Sequence, residues 1–231
     1  MTQAWIGFAG GIIAVIVSAL LAVRQSRMAE RLARLTSDLQ AERDAERVLM
    51  RYREPLAAAA FDLQSRLYNI LGLDFLEKFG GDHAQADEAL RTTLFRLAQY
   101  FGWTEILRRD IQFLSFPEAA DTLRVAELQH KISQRFLTSK LPPALMIWSD
   151  EQRALGERMI VEEHGQVLCM GYARFRDACD DVFAPWLDRL RSGLEQESAR
   201  DRMLEVQHLL CELVETLDTN RVRYSRDLDR A

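Results

Sequence analysis

The chain is poor in cysteine and histidine, two residue types on which many catalytic and metal-binding motifs depend. It has three cysteines, Cys169, Cys179 and Cys211, and their spacing matches neither a CxxC pair nor a zinc site. It contains no glycine-rich phosphate loop followed by lysine, no G-x-S-x-G and no H-E-x-x-H. These absences exclude the common motifs of nucleotide-binding proteins, serine hydrolases and zinc peptidases. We therefore predict no cofactor and assign no catalytic residue.

Lysine is almost absent, because arginine outnumbers it 27 to 3. That excess is typical of a GC-rich, bacterial coding bias. The formal net charge of -5 argues against nucleic acid as a main partner, since a protein that binds nucleic acid usually carries a basic patch. We therefore expect lipid and protein, and not nucleic acid, as partners.

Charge is missing altogether from residues 5–23, which read WIGFAGGIIAVIVSALLAV. As a helix this segment rises about 28 Å, close to the thickness of a bilayer core. We predict a transmembrane helix after a short extracytoplasmic leader, residues 1–4. A cleavable signal peptide is the alternative, but the leader has no Lys or Arg. Arg24, Arg27, Arg31 and Arg34 follow the span, so the positive-inside rule places the N-terminus outside and the rest of the chain in the cytoplasm of a cell (inner or plasma) membrane.

Small residues share one side of this predicted span. On a helical wheel they fall within about a third of the circumference, and small-xxx-small patterns of this kind let two helices approach closely in lipid. We predict a homo-oligomer through this face, although Gly and Ala are also common in membrane helices for other reasons. The predicted contact residues in the span are Gly7, Gly10, Gly11, Ala14, Ser18 and Ala22.

A helical stalk is predicted for residues 24–54. Met28, Leu32, Leu35 and Leu39 are spaced +4, +3, +4, as in the a and d positions of a short coiled coil. They fall beside the small-residue side of the span on the same wheel, so one seam is predicted to run from Gly7 to Leu39. The alternative is that these side chains pack on the chain's own domain, because two heptads are few for a stable coiled coil.

Residues 55–228 predict a cytoplasmic all-α bundle, followed by a short tail, 229–231. Pro55 is expected to begin the first helix, Gly80 and Gly81 to end it, and Gly102 to break or bend the second. Capping boxes at 115–118 and 149–152 are expected to open two further helices, and Pro185 another. Ile160-Val161 and Val167-Leu168 suggest a small β-hairpin near 160–169. The last helix, with its +3, +4 stripe from Met203 to Leu217, either closes the bundle or forms a second oligomer seam.

Two E-x-x-H motifs are the only candidate metal ligands, Glu127 with His130 and Glu205 with His208. Paired motifs of this form hold metals in di-iron carboxylate bundles. On the wheel, however, Glu205 and His208 point away from the apolar face of the last helix. We therefore expect these residues on a solvated face and predict no metal site. A base–nucleophile pair of His164 and Cys169 is equally weak, because sequence neighbours are rarely catalytic partners.

The sequence leaves three functions open. The first is a membrane-anchored, cytoplasm-facing interaction or scaffold module that binds a cytoplasmic protein, since an anchor, a stalk and a bundle are visible and a site is not. The second is an oligomerising membrane sensor or effector that responds to a ligand or partner. The third is an all-helical enzyme whose site has no recognisable motif.

Overall fold

A computed structural model describes residues 2–79, 83–111, 120–194, 196–218, 223–224 and 228–231. Within the helices it does not describe the side chains of 2–23, 41–42, 45–46, 48–49, 83–84, 111 and 120–122. Across the residues described, the chain is mostly helical with one two-stranded sheet, which confirms the prediction of a helical bundle. Among those same residues, no helix combines the length and apolar character needed to cross a bilayer. The predicted span, 5–23, falls on side chains outside the described set.

The first helix is far longer than the others and runs through the expected boundary at Pro55. Helix α1 spans Thr2–Gly72, with Pro55 inside it. The prediction that Pro55 begins a new helix is therefore wrong. A proline inside a helix costs about 3 kcal/mol, because it removes one hydrogen bond and its ring crowds the preceding turn. Two hydrogen bonds from residues just before Pro55 help to offset that cost: the Tyr52 hydroxyl donates to Asp110 at 2.6 Å, and the Arg53 guanidinium donates to the Leu217 carbonyl.

Seven further helices, a hairpin and a single 3-10 turn follow in the described chain. The polypeptide turns sharply after Gly72, where Asp74 adopts a φ of 52°. Gly80 and Gly81, which were expected to end the first helix, lie outside the described residues, and α1 ends earlier, at Gly72. The capping box at 115–118 also lies outside the described residues. The elements are α2 (Phe75–Phe79), α3 (His83–Ile111), α4 (Ala120–Leu137), α5 (Ser149–Arg158), β1 (Ile160–Glu163), β2 (Gln166–Cys169), α6 (Tyr172–Ala178), α7 (Ala184–Leu194), the 3-10 turn (Glu197–Ala199) and α8 (Arg200–Leu217).

The core lies between the C-terminal part of α1 and helices α3, α4 and α8. Helix α8 packs against both α1 and α4, and its stripe is buried along its whole length. Of the two roles left open for this helix, closing the bundle is therefore the one observed. Leu94, Leu97 and Phe101 of α3 are also in the core. The buried stripe residues of α8 are Met203, Val206, Leu210, Leu213 and Leu217.

Helix α3 runs through Gly102, so the predicted break at this glycine is wrong. A Cβ on Gly102 would stand 2.7 Å from the Cys169 sulfur and 2.8 Å from the Met159 Cβ. A Cβ on Gly156 of α5 would lie 2.6 Å from the Phe101 carbonyl oxygen. The two glycines therefore allow α5 and the hairpin to pack directly on the backbone of α3. Close approach, and not an interruption of the helix, explains the absence of a side chain at Gly102.

The β-hairpin predicted near 160–169 is confirmed. Strands β1 and β2 pair antiparallel, with Val161 opposite Leu168. His164 and Gly165 form the two-residue turn with φ values of 52° and 74°, as this type of tight hairpin requires.

The start of α5 differs by one residue from the predicted capping box. Its N-cap is Trp148, and the Glu151 carboxylate accepts the Trp148 N–H at 2.9 Å. The side chain of Gln152, expected to complete the box, instead donates to the Ile147 and Ser133 carbonyls. The short helix α6 carries no capping signal, and the sequence did not predict it.

Candidate functional site

The most exposed apolar surface in the described chain lies on the stalk. Met28, Leu32, Leu35 and Leu39 form what we call the stalk stripe, with 62%, 57%, 59% and 52% of each residue exposed. All of the described residues from 24 to 40 are exposed, so this part of α1 packs against nothing in the part of the chain that the structure describes. The alternative that the stripe packs on the chain's own domain is therefore wrong.

The small residues predicted to continue this seam into the membrane lie outside the described side chains. They are Gly7, Gly10, Gly11, Ala14, Ser18 and Ala22. Helix α1 nevertheless includes their backbone and that of the stalk stripe in one continuous element. The relation between the two patches on the helical wheel therefore remains a sequence prediction.

The two E-x-x-H motifs meet across a groove between α4 and α8, but they do not form a ligand set. His130, Glu205 and His208 line this groove together with basic side chains of α4. Among the described residues, no group of three or more His, Cys, Asp or Glu side chains is arranged to hold a metal ion. The His208 Nε2 lies 3.2 Å from the Ala231 carbonyl oxygen and so faces the tail of the chain.

The carboxylates of these motifs are occupied by cations. Glu127 pairs with Lys131 at 2.7 Å and with Arg124 at 3.1 Å, and hydrogen bonds from these two cations lower the Glu127 pKa. Arg135 of α4 pairs with Glu205 of α8 at 2.8 Å. The motifs therefore contribute to a seam of ion pairs that joins α4 to α8.

The remaining nucleophile candidate is also excluded by its surroundings. His164 lies exposed in the hairpin turn, whereas Cys169 lies at the opposite end of β2 beside α3. Burial raises the pKa of the Cys169 thiol to about 12, so it stays protonated at neutral pH. The structure thus gives no base–nucleophile pair at this position.

An apolar cavity of about 350 Å³ lies inside the bundle, and the sequence did not predict it. Its walls come from α1, α3, α7, α8 and the connection between α4 and α5. Most of the lining is apolar, and the exposed polar residues Asp188, Ser192 and Gln196 lie where the cavity reaches the surface. Representative wall residues are Leu63, Leu97, Ala144, Leu190, Met203 and Val206.

Arg202 stands beside the cavity but is fully engaged elsewhere. It is 1% exposed, and all five of its N–H groups donate to main-chain carbonyls of the end of α4 and the connection that follows. Burial lowers the pKa of this guanidinium. Because every donor is used, Arg202 holds the connection in place and has no N–H left for a ligand. The acceptors are the carbonyls of Arg135, Phe136, Thr138, Pro142 and Ala144.

The connection held by Arg202 also carries backbone strain. Leu145 has a φ of 55°, an uncommon conformation for a residue with a bulky side chain. Its side chain fills the space beside Gly193 of α7, where a Cβ would lie 2.5 Å from the Leu145 Cδ2. Strain of this kind persists only where the surroundings over-determine it, and it is often found at binding sites. Here it shapes one wall of the cavity.

Comparisons with protein-family models, with curated proteins and with solved structures give no match to this chain. Any function must therefore be argued from its own residues.

Proposed function

We propose that this protein is a membrane-anchored interaction module that self-associates through the N-terminal part of α1 and presents its helical bundle to a cytoplasmic protein. One observation carries the proposal: four large apolar residues, each more than half exposed, follow one another on a single helix face. A monomer would expose them to water at a cost, since apolar surface is stabilised by removal from water. A second copy offers the same stripe in the same register.

The position of the stripe supports a membrane setting for this contact. It begins five residues after the charge-free segment 5–23 and lies among Arg24, Arg27, Arg31 and Arg34. Those arginines suit the cytoplasmic face of a bilayer. Anchored in the same bilayer, two copies meet at a high effective concentration, so even a two-heptad seam contributes useful affinity.

Cysteine crosslinking tests the seam directly. In full-length protein in a bilayer, Leu35→Cys should crosslink efficiently, whereas Ser37→Cys should not. Both positions are exposed in the single chain, so accessibility to the oxidant is matched. Ser37 points to the opposite side of the helix from the stripe. Equal crosslinking at the two positions would refute the seam.

The anchor is tested separately. A reporter that is active only in the cytoplasm, fused after Ala231, should be active if residues 5–23 span the membrane in the proposed orientation. Within the span, Gly11→Ile should weaken self-association about tenfold, because it adds a branched side chain where two backbones approach. Ile12→Leu is the matched control on the other side. If Gly11→Ile and Ile12→Leu behave alike, the small residues form no contact.

A second candidate, an oligomerising membrane sensor, is favoured by the position of the cavity. Leu63 and Leu67 of α1 form part of its wall, so a molecule in the cavity would touch the same helix that carries the stalk stripe. A ligand can shift an oligomer equilibrium only if it binds one state better than the other. The sensor therefore first needs a ligand.

A further inference from the structure

We propose that the cavity in the bundle binds a single acyl chain, with the polar head at the rim formed by α7 and Gln196. The inference rests on the described lining residues, the first of which is Leu63 and the last Val206, and it does not depend on the membrane anchor. Protein interiors are close-packed, and voids much larger than a water molecule are few. A cavity of about 350 Å³ lies within the size range of small-molecule sites.

The chemistry of the lining selects hydrocarbon for the deep part of the ligand. The Arg202 donors are all used on carbonyls, and the Thr93 hydroxyl donates to the Ala89 carbonyl while accepting from Arg66. The buried polar atoms that lack a partner in the described chain belong to residues outside this lining. A polar group placed deep in the cavity would find no partner, and burying it would be unfavourable.

Among the described lining residues, the polar side chains that can contact a ligand lie at the rim. Asp188, Arg189, Ser192 and Gln196 lie there and are exposed. The Arg189 guanidinium donates to the Glu151 carboxylate and to the Met146 carbonyl, and it remains exposed to water. It can therefore contact the polar head of a ligand at the surface, where neither group has to be buried. An apolar interior with one polar edge fits an amphiphile with one tail. With roughly 30 Å³ per non-hydrogen atom, as for water in the liquid, the cavity holds on the order of a dozen atoms.

The test uses the full-length chain in phosphatidylcholine nanodiscs, because a detergent is itself a single-tailed amphiphile. The probe is 11-bromoundecanoate, whose terminal bromine quenches tryptophan on contact, and the reporter is Trp186 in the cavity wall. We expect saturable quenching that dodecanoate reverses and that is lost in Trp186→Phe. If the protein does not insert into nanodiscs, the predicted membrane anchor is refuted. The same titration in buffer then still tests whether the cavity binds the probe.

A filled cavity gives the matched comparison. Ala144→Leu adds bulk to the buried wall, whereas Ala173→Leu makes the same change on the exposed face of α6. Ala144→Leu should lower the affinity for the probe at least tenfold, and Ala173→Leu should leave this affinity unchanged. If circular dichroism shows Ala144→Leu to be unfolded, Val206→Leu fills the cavity from α8 instead.

A chain-length series keeps the test independent of any variant. Each added methylene should raise affinity about fourfold until the cavity is full, near a dozen carbons, and longer chains should gain nothing. Partition into the bilayer alone would rise with every methylene. Quenching that never saturates, that rises without limit with length, or that is equal in Ala144→Leu would overturn the site.

The source of the chain is resolved by two further arms. Quenching of Trp186 in nanodiscs made with bromine-labelled phosphatidylcholine, without added acid, would identify a bilayer lipid as the donor of the chain. Competition by dodecanoate but not by dodecanoyl lysophosphatidylcholine would identify a free fatty acid. Both results support the acyl-chain site, and the absence of quenching in every arm would refute it.

Discussion

The two halves of α1 carry leucines at the same helical spacing, yet they face opposite environments. Leu32, Leu35 and Leu39 are more than half exposed, whereas Leu56 and Leu63 are buried completely or nearly so. Nothing in the spacing itself distinguishes the two sets. The difference is that α3 and α8 lie against the second half and nothing in the described chain lies against the first. An apolar stripe therefore specifies that a helix needs a partner, and the rest of the chain decides whether that partner is its own.

The largest expected effect comes from exchanging one leucine in each half for alanine. Leu56→Ala should lower the free energy of unfolding by about 2–5 kcal/mol, because it leaves a cavity in the core. Leu35→Ala should change it by less than about 0.5 kcal/mol, since its side chain is exposed in the single chain. Denaturant unfolding followed by circular dichroism measures both. Similar losses would show that the stalk packs on the bundle.

Substitutions at Arg202 test whether the stability of the bundle depends on one buried polar side chain as much as on its leucines. Arg202→Leu should destabilise the bundle by about 3 kcal/mol, because several main-chain carbonyls lose their donors in the interior. Arg202→Lys should recover little of this, since one ammonium cannot reach the same five acceptors. The exposed Arg34→Leu is the control and should be close to neutral for unfolding. Full rescue by lysine would contradict the geometry described above.

Pro55 lies near the junction of the two halves and offers a stabilising change. Pro55→Ala should raise the free energy of unfolding by about 1–3 kcal/mol, because it restores a helical hydrogen bond and removes a steric conflict. Differential scanning calorimetry measures the accompanying rise in Tm. A loss of stability would instead show that the proline ring contributes packing that alanine cannot replace.

Substitution of Glu105 should have the smallest effect on the free energy of unfolding, and this effect should depend on pH. Burial raises its pKa, but hydrogen bonds from Arg108 and Arg109 outweigh burial, and the net shift is downward from 4.5. A lowered pKa in the folded state means that the ionised carboxylate stabilises the fold above pH 4.5, and that this contribution is lost as the pH falls below it. Glu105→Gln should therefore cost about 1 kcal/mol at pH 7, discounted for the partly exposed arginines, and progressively less in acid. A pH-independent difference would contradict the ion pair.

Local signals predicted local structure well. The hairpin followed from β-branched residues flanking His164-Gly165, and α8 followed from its stripe. Pro55 and Gly102 were misread, because the contacts that allow a proline inside α1 and require a glycine in α3 come from residues far away in sequence. The cavity and the role of Arg202 have no local signal at all. A guanidinium that binds five carbonyls between Arg135 and Ala144 is visible only after α8 has packed against the end of α4.

Because α1 is continuous, the angle around its axis between the stalk stripe and the face packed in the bundle is fixed. Counting 100° per residue, the stalk stripe points roughly 100° away from the face that Tyr52, Leu56, Leu63 and Leu67 bury in the bundle. Two copies paired in parallel through the stripe would thus carry their bundles on the flanks of the pair, turned sideways and not towards each other. One residue inserted between 40 and 51 would rotate each bundle by about a further 100° without altering a single contact inside it. The number of residues in the stalk therefore sets the direction in which the bundle faces as well as its distance from the stripe.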